Sequence, residues 1–523
     1  MKIRFSQNLL LLNLTFVGLL SCRSGFEPQQ VQHRNEPVPI IPDYTRLVIP
    51  PNIAPMNFQI QEKGNAFMAK LSGPVDRPIT IRSRAATIQF PHRYWSAFLE
   101  RNRGKQIQLD IYVKTSNKEW IRYAPITHSI AEHPIDPYLA YRLIKPLYVY
   151  WDQMGIYQRD LTSFKERPLF LNRAGGDNCV NCHSFHQYNP ERFLLHMRAG
   201  PVGTCMILAY DGQVRKIDTS TSFNRAVAYR AWHPNGRIVA FSANTVNQFF
   251  HTVGENRDVY DKASDVLIYD VVSNTITTSP LISTLERMET YPEWSPDGRY
   301  LYYCVTDGLQ VYEKTAEHPY ARIKYDLMRI SYDVEDNRWG DIETMINANA
   351  MGLSVTHPKA SPDGRFVLLT MSGYGNFSIY KQDADLYLLD TQTKALRKLD
   401  QLNSDRVESY HSWSSNGRWL VFSSKRGNGL CARPYFSYMD ENGKFSKPFV
   451  LPQKNPVFYN TFLKTYNIPE FINGPITSRP QQLAATAWDL DGFFKANLDP
   501  NLEERKEEDH NPMWKPLQKN SKK

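Results

Sequence analysis

Through the second half of the chain, short apolar runs alternate with polar turns that carry glycine, and the alternation repeats. Ala231-Trp232-His233-Pro234-Asn235-Gly236-Arg237 leads into the apolar stretch Ile238 to Ser242. Glu293-Trp294-Ser295-Pro296-Asp297-Gly298-Arg299 and Lys359-Ala360-Ser361-Pro362-Asp363-Gly364-Arg365 do the same, as does Ser412-Trp413-Ser414-Ser415-Asn416-Gly417-Arg418. Each reads as a hairpin: a strand ending near Trp, a tight turn whose Asp or Asn plus Gly supplies positive φ, then a second apolar strand. Further strands are predicted at Asp265 to Asp270, Asp326 to Tyr332, Asp385 to Asp390 and Tyr435 to Met439. Each is followed by a polar turn and one more strand. Four strands per unit at a period of about 50 to 65 residues is the signature of propeller blades. Flanking strands at Phe193 to Thr219 and Phe449 to Ile476 supply what remains, so the propeller is placed over residues 191–480.

The first part of the chain has a different pattern. Residues 41–133 carry short alternating strands punctuated by Pro and Gly, with a helical crossing at Tyr94 to Asn102. They predict a small β-sandwich of immunoglobulin-like type. Residues 134–190, with the aromatic run Tyr148-Val149-Tyr150-Trp151, read as a mostly helical bridge. The fold class is therefore mainly β: a propeller preceded by a sandwich and a short helical segment.

That bridge holds the most specific chemistry in the chain. Cys179-Val180-Asn181-Cys182-His183 has the C-x-x-C-H spacing that covalent haem c attachment requires. Cys179 and Cys182 would add to the two porphyrin vinyl groups, and His183 would give the iron its proximal nitrogen. The same residues also read as a redox dithiol, a disulfide or half of a zinc site. No second C-x-x-C exists to complete a zinc site. Met197 or His196 is the candidate distal ligand, and Met206 lies within chain reach. His186 would share His183's face on a helix and could not cross the ring. Cys205, Cys304 and Cys431 remain. Cys304 sits in an apolar strand pattern and reads as a buried hydrophobe, while a disulfide among the three is left open.

The N-terminus bears on the compartment. A basic start, Met1-Lys2-Ile3-Arg4, precedes an apolar run from Leu9 to Leu20 that is short for a membrane span. Leu19-Leu20-Ser21-Cys22 resembles the lipobox of bacterial lipoproteins. The resemblance implies a signal peptide over 1–21, lipidation of Cys22, and a linker over 22–40. It places the protein in the cell envelope, anchored to a membrane and facing the periplasm from the outer membrane. The W-S-P-D-G-R strings resemble the TolB-type repeat, which implies six blades. Together with the haem string they resemble Bacteroidetes-type lipoproteins with TolB-like propellers and a single C-x-x-C-H motif.

A net charge of +9 comes from scattered Lys and Arg, and no nucleic-acid motif accompanies it. No G-x-S-x-G elbow is present, and the motif serines belong to turns, which excludes a serine peptidase. From Asn501 the chain is charged and poor in apolar residues, so the tail over 481–523 is expected to end in disorder. The leading expectation is a monohaem c-type electron carrier or redox sensor, its propeller docking a redox or envelope protein. The second is a non-enzymatic envelope scaffold that binds protein or glycan, with a structural Cys pair. A haem enzyme of peroxidase type would need a vacant distal position.

Overall fold

The computed structural model describes residues 28–502 apart from 29, 76, 147–152, 199, 222–226, 253–254 and 315–318. The expected signal segment, Cys22, the aromatic run Tyr148 to Trp151 and the chain from residue 503 onward lie outside the described residues.

Each of the four repeat strings forms the predicted hairpin. Their turn glycines Gly236, Gly298, Gly364 and Gly417 have φ of 70°, 73°, 71° and 67°. The motif serine serves the turn: Ser295 Oγ donates to Asp297 Oδ1 at 2.6 Å and accepts from the Tyr300 amide at 3.0 Å. The buried indoles of Trp232, Trp294 and Trp413 pack between neighbouring sheets. Two also reach back to the preceding sheet, Trp413 Nε1 donating to Lys359 O at 3.0 Å and Trp232 Nε1 to Ser184 O at 3.4 Å.

Six sheets follow one another in chain order, each with four antiparallel strands at its heart. Their innermost strands are Cys179–Phe185, Arg230–Trp232, Arg287–Trp294, Ser354–Ala360, Glu408–Trp413 and Thr465–Ile472. Each contacts the next, and the last contacts the first, so the sheets close into a ring. This is a β-propeller. Closure is interlocked, because Thr465–Ile472 pairs antiparallel with Tyr138–Ile144, at the far end of the chain's course around the ring. Apolar clusters fill the spaces between successive sheets, as this architecture demands.

The described residues of 134–190 are not a helical bridge. They form the strands Tyr138–Ile144, Gly155–Asp160, Glu166–Leu171 and Cys179–Phe185, interrupted by single 3-10 turns. A continuous apolar run of strand length carries no period that separates a buried strand from a helix. Here each such run finds a ladder partner, and the ring begins at Tyr138 rather than at residue 191.

The N-terminal region is two sheets, of seven and three strands, with the helix His92–Arg101 where a helical crossing was expected. Part of the expected linker is structured, since Val31–His33 pairs parallel with Trp120–Arg122. This region does not keep a core of its own. One apolar cluster runs from Phe58, Phe98 and Ile111 into Tyr141, Trp419, Phe436 and Tyr466 of the propeller. The start of the expected tail is also ordered. Pro480–Trp488 is a helix, and Phe493–Lys495 and Asn497–Leu498 add parallel edge strands to two of the sheets. No helix among the described residues is long and apolar enough to cross a membrane.

Candidate functional site at the propeller centre

The innermost strands share a frame. Cys182-His183-Ser184-Phe185, Tyr229-Arg230-Ala231-Trp232 and Tyr291-Pro292-Glu293-Trp294 are three instances. His357-Pro358-Lys359-Ala360, Tyr410-His411-Ser412-Trp413 and Ile468-Pro469-Glu470-Phe471 are the others. Five of these strands slip register at the frame's start, a β-bulge that re-aims a side chain. Tyr291, His357, Tyr410 and Ile468 hold positive φ of 52°, 54°, 46° and 49°, a region bulky residues rarely occupy. The rings collect in consequence: Tyr229 and Tyr291 centroids lie 3.8 Å apart, Tyr291 and His357 4.2 Å, and His357 and Tyr410 4.7 Å. Cys182 holds the equivalent place in the first frame and acts electrostatically on Tyr229 and Tyr410.

The C-x-x-C-H string is thus an innermost strand in which Cys and His take repeat positions. His411, the counterpart of His183, shows what a satisfied histidine does there. Its Nε2 donates to Leu368 O at 3.1 Å and its Nδ1 accepts from Thr370 Oγ1 at 3.4 Å. His183 is equally buried, yet neither ring nitrogen has a hydrogen-bond partner. Glu470 Oε2 stands 3.9 Å from its Nε2, too far for a hydrogen bond, and the Ala140 and Ile468 backbones act on the ring as weak partners outside ordinary hydrogen-bond geometry. Burial, then Arg230 and Arg142, push its pKa down to about 3, so the imidazole is neutral. Its lone pair is free for a metal.

Cys179 is partly exposed, Cys182 is buried, and neither is in a disulfide. Burial pushes the Cys179 thiol up despite Arg198 and Arg142. Cys205, Cys304 and Cys431 are also free and buried, and Cys304 lies in an apolar cluster as expected. The strand Phe193–Arg198 pairs with the haem string, placing Leu195 opposite His183 and Met197 opposite Val180. Alternation then sends His196 and Met197 to opposite faces. Met197 is packed among apolar residues, whereas His196 is fully buried with both nitrogens unpartnered. Met206 belongs to the apolar cluster between its own sheet and the next. His186 is past the strand's end in a 3-10 turn, its Nε2 donating to Pro234 O at 3.1 Å, so the shared helix face does not exist. Among the described residues, no three His, Cys, Asp or Glu side chains are grouped to hold a metal ion.

A second buried group lies in the same central region. Asp261 Oδ2 accepts from Asn244 Nδ2 at 2.9 Å and Tyr325 Oη at 3.2 Å, and from Asn376. Burial outweighs these bonds and pushes its pKa up to about 7 from 3.8. The folded state therefore holds a proton here that the unfolded chain releases. This contribution to stability is full below about pH 4 and is lost as pH rises through 7. Asp261→Asn is expected to flatten the decline of melting temperature across that window. An unchanged slope would count against the buried, protonated carboxyl.

The aromatic group, the Glu470 carboxyl and the three arginines around the thiols were missed by motif reading. The signal for the rings was present, three residues before each repeat tryptophan. The arginines have no such spacing, because three different strands bring them together.

No family model matches the chain, and no curated protein does. Solved structures match by shape alone. Porphyromonas gingivalis dipeptidyl peptidase 4 is 13% identical over 56% of this chain and 43% of its own, with a TM-score of 0.30. This chain thus spans less than half of that peptidase. Pseudomonas aeruginosa periplasmic gluconolactonase is 12% identical over 60% of this chain and 96% of its own, with a TM-score of 0.31. A putative 6-phosphogluconolactonase from Bacteroides fragilis is 11% identical over 61% and 96%, with a TM-score of 0.33. Likenesses of this size bring no function with them.

Proposed function

We propose that this chain is a monohaem c-type cytochrome built into a β-propeller, acting as an electron carrier or redox sensor in the cell envelope. The observation that carries the reading is the contrast between two histidines in one repeat position. His411 is satisfied by the preceding sheet, whereas His183, beside two unbridged thiols, is buried and neutral with neither ring nitrogen in a hydrogen bond of ordinary geometry. A buried polar group without a partner is costly and calls for a ligand.

In this reading Cys179 and Cys182 would hold the haem by thioethers, and His183 would be a ligand to its iron. The bound group supplies one-electron exchange. The protein's part is to shield and to orient. The aromatic rings at the ring's centre and the apolar cluster behind Val180 exclude water from one side of the string. The partly exposed Cys179 marks the side open to a partner. The Cys22 lipid anchor would hold the propeller at a membrane surface as a docking platform. On the neighbouring strand, His196 and Met197 are the candidates for a second iron ligand, and only one of them can share His183's face.

The test is an absorption spectrum of the full chain made in a host with c-type maturation machinery, taken after acid-acetone extraction. A retained, reducible Soret band is expected, and it should vanish in Cys179→Ser with Cys182→Ser. Complete loss of colour from the unmutated protein would leave a lipid-anchored propeller scaffold with a structural thiol pair.

A further inference from the structure

Arg230 is the least accounted-for side chain at the centre of the ring. It is buried, and none of its three side-chain nitrogens has a hydrogen-bond partner. The Cys182 thiol acts on it without forming a hydrogen bond of ordinary geometry. A buried charge without a counter-charge is strongly unfavourable. Two more guanidiniums face the same string. Arg198 is the ladder partner of Cys179 and is partly exposed. Arg142 Nη1 donates to Asn181 Oδ1 at 2.7 Å.

Among the described residues none of the three arginines makes an ion pair. Two buried carboxyls feel them from a distance, Glu470 from Arg230 and Asp261 from Arg198. Three positive groups therefore converge on the thiol string, and among the described residues no carboxylate stands within ion-pair distance of any of them.

We propose that Arg142, Arg198 and Arg230 form a receptor for a carboxylate- or phosphate-bearing ligand lying over the Cys179–Cys182 strand. The ligand enters past Cys179 and Arg198, the partly exposed members of the group. The inference rests in part on the haem reading, since the propionates of a haem held by those thiols are one source of the anion. A free oxyanion is the other.

The full chain is made with and without c-type maturation, and both forms are melted across a titration of inorganic phosphate. The unhaemed wild type is expected to gain melting temperature saturably. Arg230→Met should melt higher than wild type without phosphate, because it removes an unpaired buried charge, and should lose the phosphate response. Arg198→Gln, at the partly exposed edge, should keep the fold and weaken phosphate binding about tenfold. Loss of the response on haem attachment assigns the site to the propionates, and persistence assigns it to a free oxyanion. Either supports the receptor. An unhaemed wild type that ignores phosphate overturns it, and so does an equal response in Arg198→Gln, which is a bulk salt effect. A preparation that attaches no haem removes the haem reading, while the unhaemed titration still decides the receptor.

Discussion

A chain terminated after Lys464 is expected to lose the cooperative unfolding transition of the full protein and to be recovered aggregated. The missing strand, Thr465–Ile472, is the innermost strand of the sheet that opens the ring. It brings Tyr466, Phe471 and Ile472, all with 1% or less of their surface exposed. Burial of a large apolar side chain contributes about 1.5 to 3 kcal/mol, so the three together approach a typical domain's net stability of about 5 to 15 kcal/mol. The loss also uncovers Leu139, Tyr141 and Leu143 on a bare apolar edge, the kind of edge that recruits other chains. Circular dichroism melts and size-exclusion chromatography read this out. A soluble truncated chain with an unchanged melting temperature would mean that the ring does not depend on its closing strand.

Trp419→Ala is expected to lower stability by about 4 kcal/mol, read as a shift in the urea midpoint with little change in slope. Trp419 is fully buried in the cluster shared by the propeller and the N-terminal sheets. Its Nε1 also donates to His133 O at 3.0 Å, so the substitution leaves a cavity and an unpaired carbonyl together. Because one core serves both regions, they should still unfold in a single transition. Two separated transitions in the variant or the wild type would show that the sandwich folds independently.

The two parts of the candidate site were not equally legible. The C-x-x-C-H string is local, so its spacing could be read directly. Its helical setting could not. Tyr138 to Ile144 and the C-x-x-C-H string are segments of strand length without a decisive period, and only their partners, Gly155–Asp160 with Thr465–Ile472 and Phe193–Arg198, decide that they are strands. The distal candidates show the same limit. Met197 and His196 are neighbours in sequence, but the pleat sends them to opposite faces. His186 was read against a helix that never forms.

Local chemistry determined the hairpins by itself. Asp or Asn followed by Gly closes a turn wherever the positive φ is needed, and the flanking tryptophans are apolar enough to be core in any arrangement. From four such hairpins a propeller follows. Only the tertiary structure decided how the ring closes, that the N-terminal sheets share its core, and that three arginines from separate strands meet at the thiols. They include contacts between residues far apart in the chain, such as Arg142 with its strand partner Asn467. A chain's local preferences do not encode them. They arise when apolar faces must be buried and the ring offers a single way to bury them all.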